Sequence, residues 1–209
     1  MPEPSILKIS EIFWSVQGEG RRLGEPAVFI RLCGCQLRCP FCDTVSAFSG
    51  GRTADVAAIL QEVRVFTAQY PQSSVIITGG EPLEQDLAPL AAALKSERLF
   101  VAVETNGLHA QAIAADWWSV SPKCASGYFI HPELAQRISE IKLVVTPELD
   151  VPVVSRIRAD YPHIPLFLQP EYNDHDKYRR TFALYRACLE QGLNGVYPGL
   201  QFHKVYGID

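Results

Sequence analysis

The amino-acid sequence predicts an α/β fold with a mainly parallel sheet. Short apolar runs alternate along the chain with segments of helical spacing, which is the pattern of such folds. Polar or glycine-rich residues follow the apolar runs, as in "CGC…CDT", "TGGEP", "ETNG", "SPK", "TPE" and "QPEYND". The 209 residues are 47% hydrophobic and 20% charged, which suits a globular chain that buries its own core. We therefore expect a single domain over residues 1–209.

Six main strands are predicted from apolar runs that end at turn residues. In chain order they lie within "AVFIRL" (27–32), "SVIITGGEP" (74–82), "LFVAVETNG" (99–107), "DWWSVSPK" (116–123), "EIKLVV" (140–145) and "IPLFLQP" (164–170). The predicted helices cover residues 53–70, 83–97, 151–161 and 176–192. Thr53 is the expected N-cap of the first helix. Pro89 is expected early in the second, because proline is tolerated in the first turn of a helix.

Composition and charge narrow the class of protein. The formal net charge is -4 and there is no long Lys/Arg run, so no nucleic-acid partner is expected. No apolar run approaches the roughly 20 residues of a membrane span, and the N-terminus lacks the basic and apolar regions of a signal peptide. Neither dinucleotide-binding nor P-loop glycine motifs occur. We expect a cytoplasmic protein that does not bind a membrane.

The stretch "CGCQLRCPFCDT" (33–44) crowds four of the six cysteines into ten residues. In a reducing compartment such clustering indicates a metal or catalysis rather than disulfides. The spacing Cys35-x3-Cys39-x2-Cys42 suits an iron–sulfur cluster, whose irons are usually held by cysteine. Three ligands on a four-iron cluster would leave one iron open to a substrate or cofactor.

Other interpretations of these cysteines stay open at this point. A structural zinc site needs four ligands, but the loop has one C-x2-C and no histidine. Cys33 could supply a fourth ligand, although its place at the end of a predicted strand favours a packed interior position. Cys124 and Cys188 are expected to be ordinary thiols, since free cysteine is among the most buried residue types.

The motif C-x3-C-x-Phe-C resembles the signature of the radical S-adenosylmethionine (SAM) superfamily. "TGGEP" (78–82), which ends the next predicted strand, resembles that superfamily's SAM-binding turn. Across most of the chain, the sequence is similar to the 7-carboxy-7-deazaguanine synthase family. The resemblance is carried by "SEIFWSVQGEGRRLGEPAVFIRLCGCQLRCPFCDT", "ITGGEP", "VETNG", "SPK", "IKLVV", "LQP" and "GLQFHKVYGID". "QGEG" is the discriminating element, because it precedes the cysteine strand and is not needed for SAM cleavage in general.

The resemblance implies a partial TIM-like α/β barrel, a radical SAM core with reduced helix content. It also implies a lyase that converts 6-carboxy-5,6,7,8-tetrahydropterin to 7-carboxy-7-deazaguanine with loss of ammonia, in queuosine and deazapurine biosynthesis. The implied cofactors are a [4Fe-4S] cluster, SAM and Mg²⁺. SAM would supply a 5′-deoxyadenosyl radical that takes hydrogen from C6 of the pterin, so no side chain is assigned as catalytic. The implied partners are an electron donor such as flavodoxin and a second copy of the chain in a homodimer.

The resemblance also implies roles for individual residues. The cluster ligands would be Cys35, Cys39 and Cys42, and Thr44 would bind Mg²⁺, a hard cation that prefers oxygen. The residues implied to contact SAM are Phe41, Cys42, Asp43, Gly80, Ser121, Pro122, Lys123, Gln169 and Pro170. The residues implied to contact the pterin are Val16, Gln17, Gly18, Glu19, Arg31, Thr78, His203 and Asp209. Arg31 suits this role because its forked donors match the substrate's carboxylate.

Several of these residues also have a purely structural interpretation. Arg31 could be an edge residue that points to solvent, and Thr44 could cap the next turn. Glu19 and Asp43 could be loop or capping residues. Ser121 and Lys123 could be exposed, and His203 could be a surface or packing residue.

The whole chain also has rival interpretations. One rival is an activase that makes a glycyl radical in a partner enzyme; another is a zinc-stabilised, non-enzymatic binding module. A plain α/β domain with buried cysteines would leave "QGEG", "TGGEP" and "SPK" unexplained.

Overall fold

The computed structural model describes residues 5–171 and 175–208. The chain divides into two compact units. The first takes in the described parts of residues 1–16, 25–105 and 109–118, and the second takes in those of residues 17–24, 106–108 and 119–209. This division leaves the single domain over residues 1–209 a prediction.

The first unit carries five strands and two α-helices. In chain order they are β1 (Ile6–Val16), β2 (Pro26–Leu32), β3 (Arg52–Asp55), α1 (Val56–Gln69), β4 (Ser74–Gly79), α2 (Ala88–Ser96) and β5 (Val101–Thr105). The strand order is β3-β1-β2-β4-β5. The pairs β2–β4 and β4–β5 are parallel, whereas β1 is antiparallel to both β2 and β3. The mainly parallel sheet predicted from the sequence therefore gains an antiparallel margin.

The central strands of the first unit are apolar on both faces, as expected for parallel strands that are covered on both sides. Val75, Ile76 and Ile77 of β4 are completely buried. Phe13 and Trp117 pack on a small cluster that includes Ala27 and Phe29. This packing holds the carboxyl ends of β2 and β4 in fixed positions, from which the cysteine loop and "TGGEP" emerge.

The second unit carries parallel strands and three α-helices. In chain order its elements are β6 (Trp117–Val120), β7 (Glu140–Val144), α3 (Val151–Asp160), β8 (Leu166–Gln169), α4 (His175–Glu190), β9 (Val196–Pro198) and α5 (Phe202–Tyr206). The first two residues of β6 belong to the first unit, and the last two pair with β7. The order continues β7-β8-β9, with every pair parallel. Short strand ends therefore present "SPK", "TP" and "QP" from neighbouring strands.

The six predicted strands are confirmed, but the described residues contain nine. The additional strands are β1, β3 and β9. The predicted start of the first helix is wrong, because Thr53 pairs with Lys8 in the sheet and the helix begins at Val56. Asp55 is the actual N-cap, and its carboxylate accepts from Ala58 N at 2.8 Å. Pro89 does lie in the first turn of α2.

The helices in the described part of the chain include none with the length and apolar content needed to cross a membrane.

Candidate functional site

The cysteine loop starts from a fixed stem at the end of β2. Cys33 N donates to Lys8 O at 2.9 Å, and Gly34 N donates to Ala47 O at 2.8 Å. Cys42 N donates to Cys39 O at 3.1 Å, which closes a tight turn between the second and third motif cysteines. The loop is therefore tied down by backbone hydrogen bonds on both sides of the motif.

The cysteines of this loop differ in exposure. Cys33 is buried, which confirms its predicted interior position, and Cys39 is buried as well. Cys35 and Cys42 are half-buried, and none of the described cysteines forms a disulfide. Within residues 5–171 and 175–208, no three His, Cys, Asp or Glu side chains converge closely enough to hold a single metal ion. Ligands of a cubane cluster bind different irons, so their sulfurs need a wider spacing than the ligands of one ion.

The "TGGEP" turn lies directly against the stem of the cysteine loop. Gly80 N donates to Leu32 O at 2.9 Å, and Glu81 N donates to Gly34 O at 2.6 Å. A Cβ on Gly80 would lie 1.8 Å from Gly34 O, so only glycine permits this approach. Gly79 has a φ of +126°, a conformation that also requires glycine.

The glutamate of this turn has a structural role. Glu81 is 1% exposed, and its carboxylate accepts from Leu83 N at 3.0 Å and from Thr105 Oγ1 at 2.6 Å. The Glu-Pro of the motif thus starts a short helical turn and fastens β4 to β5. The sequence pattern of a glycine pair alone does not require this carboxylate.

A row of polar side chains crosses the sheet of the first unit next to the cysteine loop. Arg31 pairs with Glu11 on β1 and with Thr78 on β4 in the strand register. Arg31 Nε donates to Glu11 Oε1 at 2.7 Å, and Thr78 Oγ1 donates to Glu104 Oε2 at 3.3 Å. The guanidinium lies over the ring of Phe13, 5.3 Å from its centroid.

This row excludes the interpretation of Arg31 as an edge residue that points to solvent. β2 lies between β1 and β4, so Arg31 is not on an edge strand, and its side chain is only 20% exposed. The guanidinium is held from one side by a carboxylate and from below by an aromatic ring. A positively charged group fixed in this way can receive the carboxylate of a small molecule.

Thr44 does not cap the turn that follows it. The residue stands at the N-cap position of the 3₁₀ turn Val45–Phe48, but its side chain makes no capping hydrogen bond. Its hydroxyl instead donates to Asp43 Oδ1 at 3.1 Å and lies 3.4 Å from Arg31 Nη1. Oxygen atoms of Thr44 and Asp43 therefore lie together beside the cysteine loop.

In the second unit, the "QGEG" segment is fixed by the C-terminal residues. Gln201 Nε2 donates to Glu19 Oε1 at 3.0 Å, and Phe202 N donates to Gly18 O at 2.8 Å. A Cβ on Gly18 would lie 2.0 Å from Nδ1 of His203, so the glycine allows the imidazole to approach. The structure thus brings Gln17, Gly18, Glu19 and His203 together.

The strand ends of the second unit carry five of the residues predicted to contact SAM: Ser121, Pro122, Lys123, Gln169 and Pro170. Lys123 Nζ donates to Ser121 Oγ at 2.6 Å, so both side chains of "SPK" are ordered rather than free in solvent. Gln169 is 2% exposed, and neither its amide nitrogen nor its amide oxygen has a hydrogen-bond partner among the described residues. Such an orphaned buried amide costs about 1–3 kcal/mol for each unsatisfied group. It therefore marks a place where a polar ligand would be stabilised.

The remaining predicted residues lie as follows. Val16 ends β1, Phe41 is half-buried and Asp43 is exposed in the cysteine loop, and Pro122 and Pro170 are buried. Asp209 lies outside the described residues. Four polar residues that contact the predicted ones were not assigned roles from the sequence: Glu11, Glu104, Lys142 and Gln201. For Glu104 and Lys142 the signal was a charged residue inside a mainly apolar strand motif.

Known proteins resemble this chain in sequence and in fold. The radical SAM superfamily matches residues 29–197. A 7-carboxy-7-deazaguanine synthase of Aquifex aeolicus is 32% identical over 199 residues, covering 90% of this chain and 88% of the relative. The Synechocystis protein of the same name is 33% identical over 205 residues, covering 96% and 92%. A crystal structure of QueE from Escherichia coli aligns with a TM-score of 0.74 and 27% identity, covering 95% of both chains.

These matches confirm the predicted α/β class of the radical SAM fold. They also confirm that the cofactors are a [4Fe-4S] cluster and SAM, which the superfamily shares. The sequence identity extends over nearly the whole length of the named relatives, well beyond the cysteine motif. The chain belongs to the radical SAM superfamily and, within it, to the 7-carboxy-7-deazaguanine synthase family.

Proposed function

We propose that this chain is a carbon–nitrogen lyase that converts 6-carboxy-5,6,7,8-tetrahydropterin to 7-carboxy-7-deazaguanine and ammonia, a step of queuosine and deazapurine biosynthesis. The product and ammonia together contain all the atoms of the pterin, so the reaction needs no net oxidant. The observation that carries the proposal is the held guanidinium of Arg31, beside Thr78 on the strands that lead into the cysteine loop and "TGGEP".

The cysteine loop suits the cluster, and the neighbouring turn suits the methionine end of SAM. Cys35, Cys39 and Cys42 would hold three irons, while the tight contact between Gly80 and Gly34 brings a second backbone segment against the loop. When bound, the cluster and SAM supply a 5′-deoxyadenosyl radical that takes a hydrogen atom from the pterin. The protein residues bind, orient and shield the reacting groups.

The SAM contacts proposed for the strand ends follow from their polar character. The orphaned amide of Gln169 offers one donor and one acceptor, which can pair with a purine edge. Lys123 is held by Ser121, so its ammonium is positioned in advance. The other residues proposed to contact SAM are Phe41, Cys42, Asp43, Gly80, Pro122 and Pro170.

The substrate would be recognised through its charge and its ring. Arg31 would receive the pterin carboxylate, and Thr78 would add a hydroxyl from the neighbouring strand. Glu19 would accept hydrogen bonds from N–H groups of the ring, because an ionised carboxylate can only accept. The other residues proposed to contact the pterin are Val16, Gln17, Gly18, His203 and Asp209.

A divalent cation is proposed at Thr44. Its hydroxyl makes no cap and lies beside the Asp43 carboxylate, so two oxygen ligands are close together. Magnesium prefers oxygen and keeps several waters, which suits a site with few protein ligands.

The partners and the working form of the protein are also proposals. We infer a one-electron donor such as flavodoxin, a homodimer, a cytoplasmic location and a single functional domain. The superfamily match runs from residue 29 to residue 197 and so includes sequence from both compact units, which supports one domain.

The test is an anaerobic turnover assay. The chain is reconstituted with iron and sulfide, and then SAM, dithionite and 6-carboxytetrahydropterin are added. Mass spectrometry follows 7-carboxy-7-deazaguanine and 5′-deoxyadenosine. The Cys35→Ala/Cys39→Ala/Cys42→Ala variant should lose the cluster absorbance and both products. Cys124→Ala, which removes a cysteine outside the motif, should retain them.

The products separate the possible outcomes. Formation of 7-carboxy-7-deazaguanine that disappears in the triple variant supports the proposal. Cleavage of SAM without the deazapurine would reject the pterin as substrate and would direct the search to a protein substrate, as for an activase. Zinc in place of iron and sulfide would reject the radical mechanism altogether.

A further inference from the structure

Two buried charges on β7 have no role in the function proposed above. Glu140 is 1% exposed and Lys142 is 4% exposed, on a parallel strand whose other described residues are apolar. A buried charge is costly unless it is paired and hydrogen-bonded. Since residues i and i+2 of a strand point to the same face, the two side chains act on the same side of the sheet.

Lys142 is paired with the carboxylate of "QGEG". Its Nζ lies 2.9 Å from Glu19 Oε2, and the two side chains are only 6% and 18% exposed. Gln201 Nε2 donates to the other oxygen, Glu19 Oε1, at 3.0 Å. Each oxygen of Glu19 therefore has a donor, and the plane of the carboxylate is fixed.

Glu140 contacts the backbone that follows Glu19. Its Oε2 accepts from Arg21 N at 2.7 Å. A Cβ on Gly20 would lie 2.4 Å from Glu140 Oε1, so the loop backbone lies directly on this carboxylate. Lys142 and Glu140 of β7 thus contact the "QGEG" segment at two places, the side chain of Glu19 and the backbone just after it.

We propose that Lys142 is a positioning residue that holds the Glu19 carboxylate in the orientation that receives the pterin ring. This inference rests on the proposed function, because it gives Glu19 the pterin as its ligand. Lys142 acts through Glu19 and itself needs no contact with the substrate. Its ammonium compensates the charge of a carboxylate that is largely withdrawn from water.

The contacts of Glu19 predict the effect of removing the ammonium. Without Lys142 the carboxylate loses the donor on Oε2 and can turn about its remaining hydrogen bond with Gln201. Pterin binding by the variant should therefore weaken, whereas a guanidinium at position 142 can still donate to the same oxygen.

The experiment compares Lys142→Met, Lys142→Arg, Glu19→Gln and the double variant Glu19→Gln/Lys142→Met. Calorimetry measures the dissociation constant for 6-carboxytetrahydropterin on the SAM-loaded holoenzyme at pH 7. Turnover and SAM cleavage without pterin are measured alongside. Lys95→Met is the matched control, because Lys95 is likewise paired with a carboxylate, that of Asp116, but has no part in the proposed site.

Lys142→Met should weaken pterin binding about tenfold or more at pH 7, the effect of one hydrogen bond to a charged group. Lys142→Arg should restore part of the affinity, and SAM cleavage without pterin should persist. The double variant should bind no worse than Glu19→Gln alone, because Lys142 acts through that carboxylate. Lys95→Met should match the wild type.

Three results would overturn the inference. They are unchanged binding in Lys142→Met, no recovery of affinity in Lys142→Arg, or a double variant whose losses add. If Lys142→Met does not fold, the test is the double variant, which removes both charges together. Its pterin affinity is then compared with that of Glu19→Gln. If wild-type protein binds the pterin without forming product, only the proposed function is rejected. The binding comparison then still tests the positioning role of Lys142. Wild-type protein that does not bind the pterin would reject both.

Discussion

Substitution of Gly80 by alanine tests the contact on which the candidate site is built. The Cβ would lie 1.8 Å from Gly34 O and 2.5 Å from Gly34 C, whereas real Cβ contacts essentially never fall below 3.0 Å. The neighbouring atoms are backbone, so no side-chain rotation can relieve the overlap. Either the "TGGEP" turn or the stem of the cysteine loop must move by more than an ångström.

The cost of this movement can be estimated from the contacts it breaks. Glu81 N–Gly34 O at 2.6 Å and Gly80 N–Leu32 O at 2.9 Å would both be lost, at about 1 kcal/mol each. Forcing an additional carbon into a packed site adds about 1–3 kcal/mol. A loss of roughly 3–5 kcal/mol in the free energy of unfolding follows. For a chain of this length each kcal/mol lowers Tm by about 2–4 °C, so Tm should fall by about 6–20 °C.

Thermal unfolding followed by circular dichroism measures this change, and iron content and SAM cleavage report the cysteine loop. Gly192→Ala is the matched control, because Gly192 has a positive φ of +73° but open space around it. Its cost should stay near the roughly 1–2 kcal/mol of a left-handed residue, with iron binding unaffected. If Gly80→Ala melts within a few degrees of wild type and retains its iron, the close approach of the two backbones is refuted.

Three further predictions concern single side chains. Arg31→Ala should raise the KM for the pterin about 10- to 100-fold through loss of charged hydrogen bonds, with SAM binding by calorimetry unchanged; unaltered pterin affinity would exclude the carboxylate role. Thr44→Ala should flatten the Mg²⁺ dependence of turnover while Thr44→Ser retains it, and a normal Mg²⁺ response in the alanine variant would exclude Thr44 as a ligand. Burial raises the pKa of the Cys188 thiol above its ordinary 9.0, so the thiol should resist iodoacetamide at pH 8.5 in the folded protein. As the pH rises above 9.0, the thiol of the unfolded chain ionises first, so the free energy of unfolding should fall. Rapid alkylation at pH 8.5, detected by peptide mass spectrometry, would contradict this burial.

The sequence predicted a strand correctly wherever an apolar run ends at clear turn residues. β4, β5 and β7 combine apolar residues with a clear turn, and each was found in place. β3 was missed because "RTAD" has four residues of which three are exposed, so its pattern resembles the start of a helix. β9 has three residues and ends in proline, which leaves no periodicity to detect.

β1 was missed for a different reason. Its register against β2 shifts between Ile9 and Glu11, so the alternation of buried and exposed residues does not continue through the strand. A β-bulge of this kind re-aims the side chains that follow it. Here it precedes Glu11, the residue that holds Arg31. The β-bulge that interrupts the alternation of β1 thus lies next to Glu11, whose carboxylate the candidate site needs.

The site shows the same division between motif residues and their supports. The sequence indicated the cysteines, "QGEG", "TGGEP" and Arg31, because each stands in a recognisable string. It could not indicate that Glu11 holds Arg31 or that Lys142 holds Glu19, since these partners are 20 and 123 residues apart. Pairing across such distances is decided by strand order and register, which a local pattern does not encode. A charged residue on a buried strand is therefore the best sequence signal for such a support, and Lys142 in "EIKLVV" is the instance that the binding series above would test.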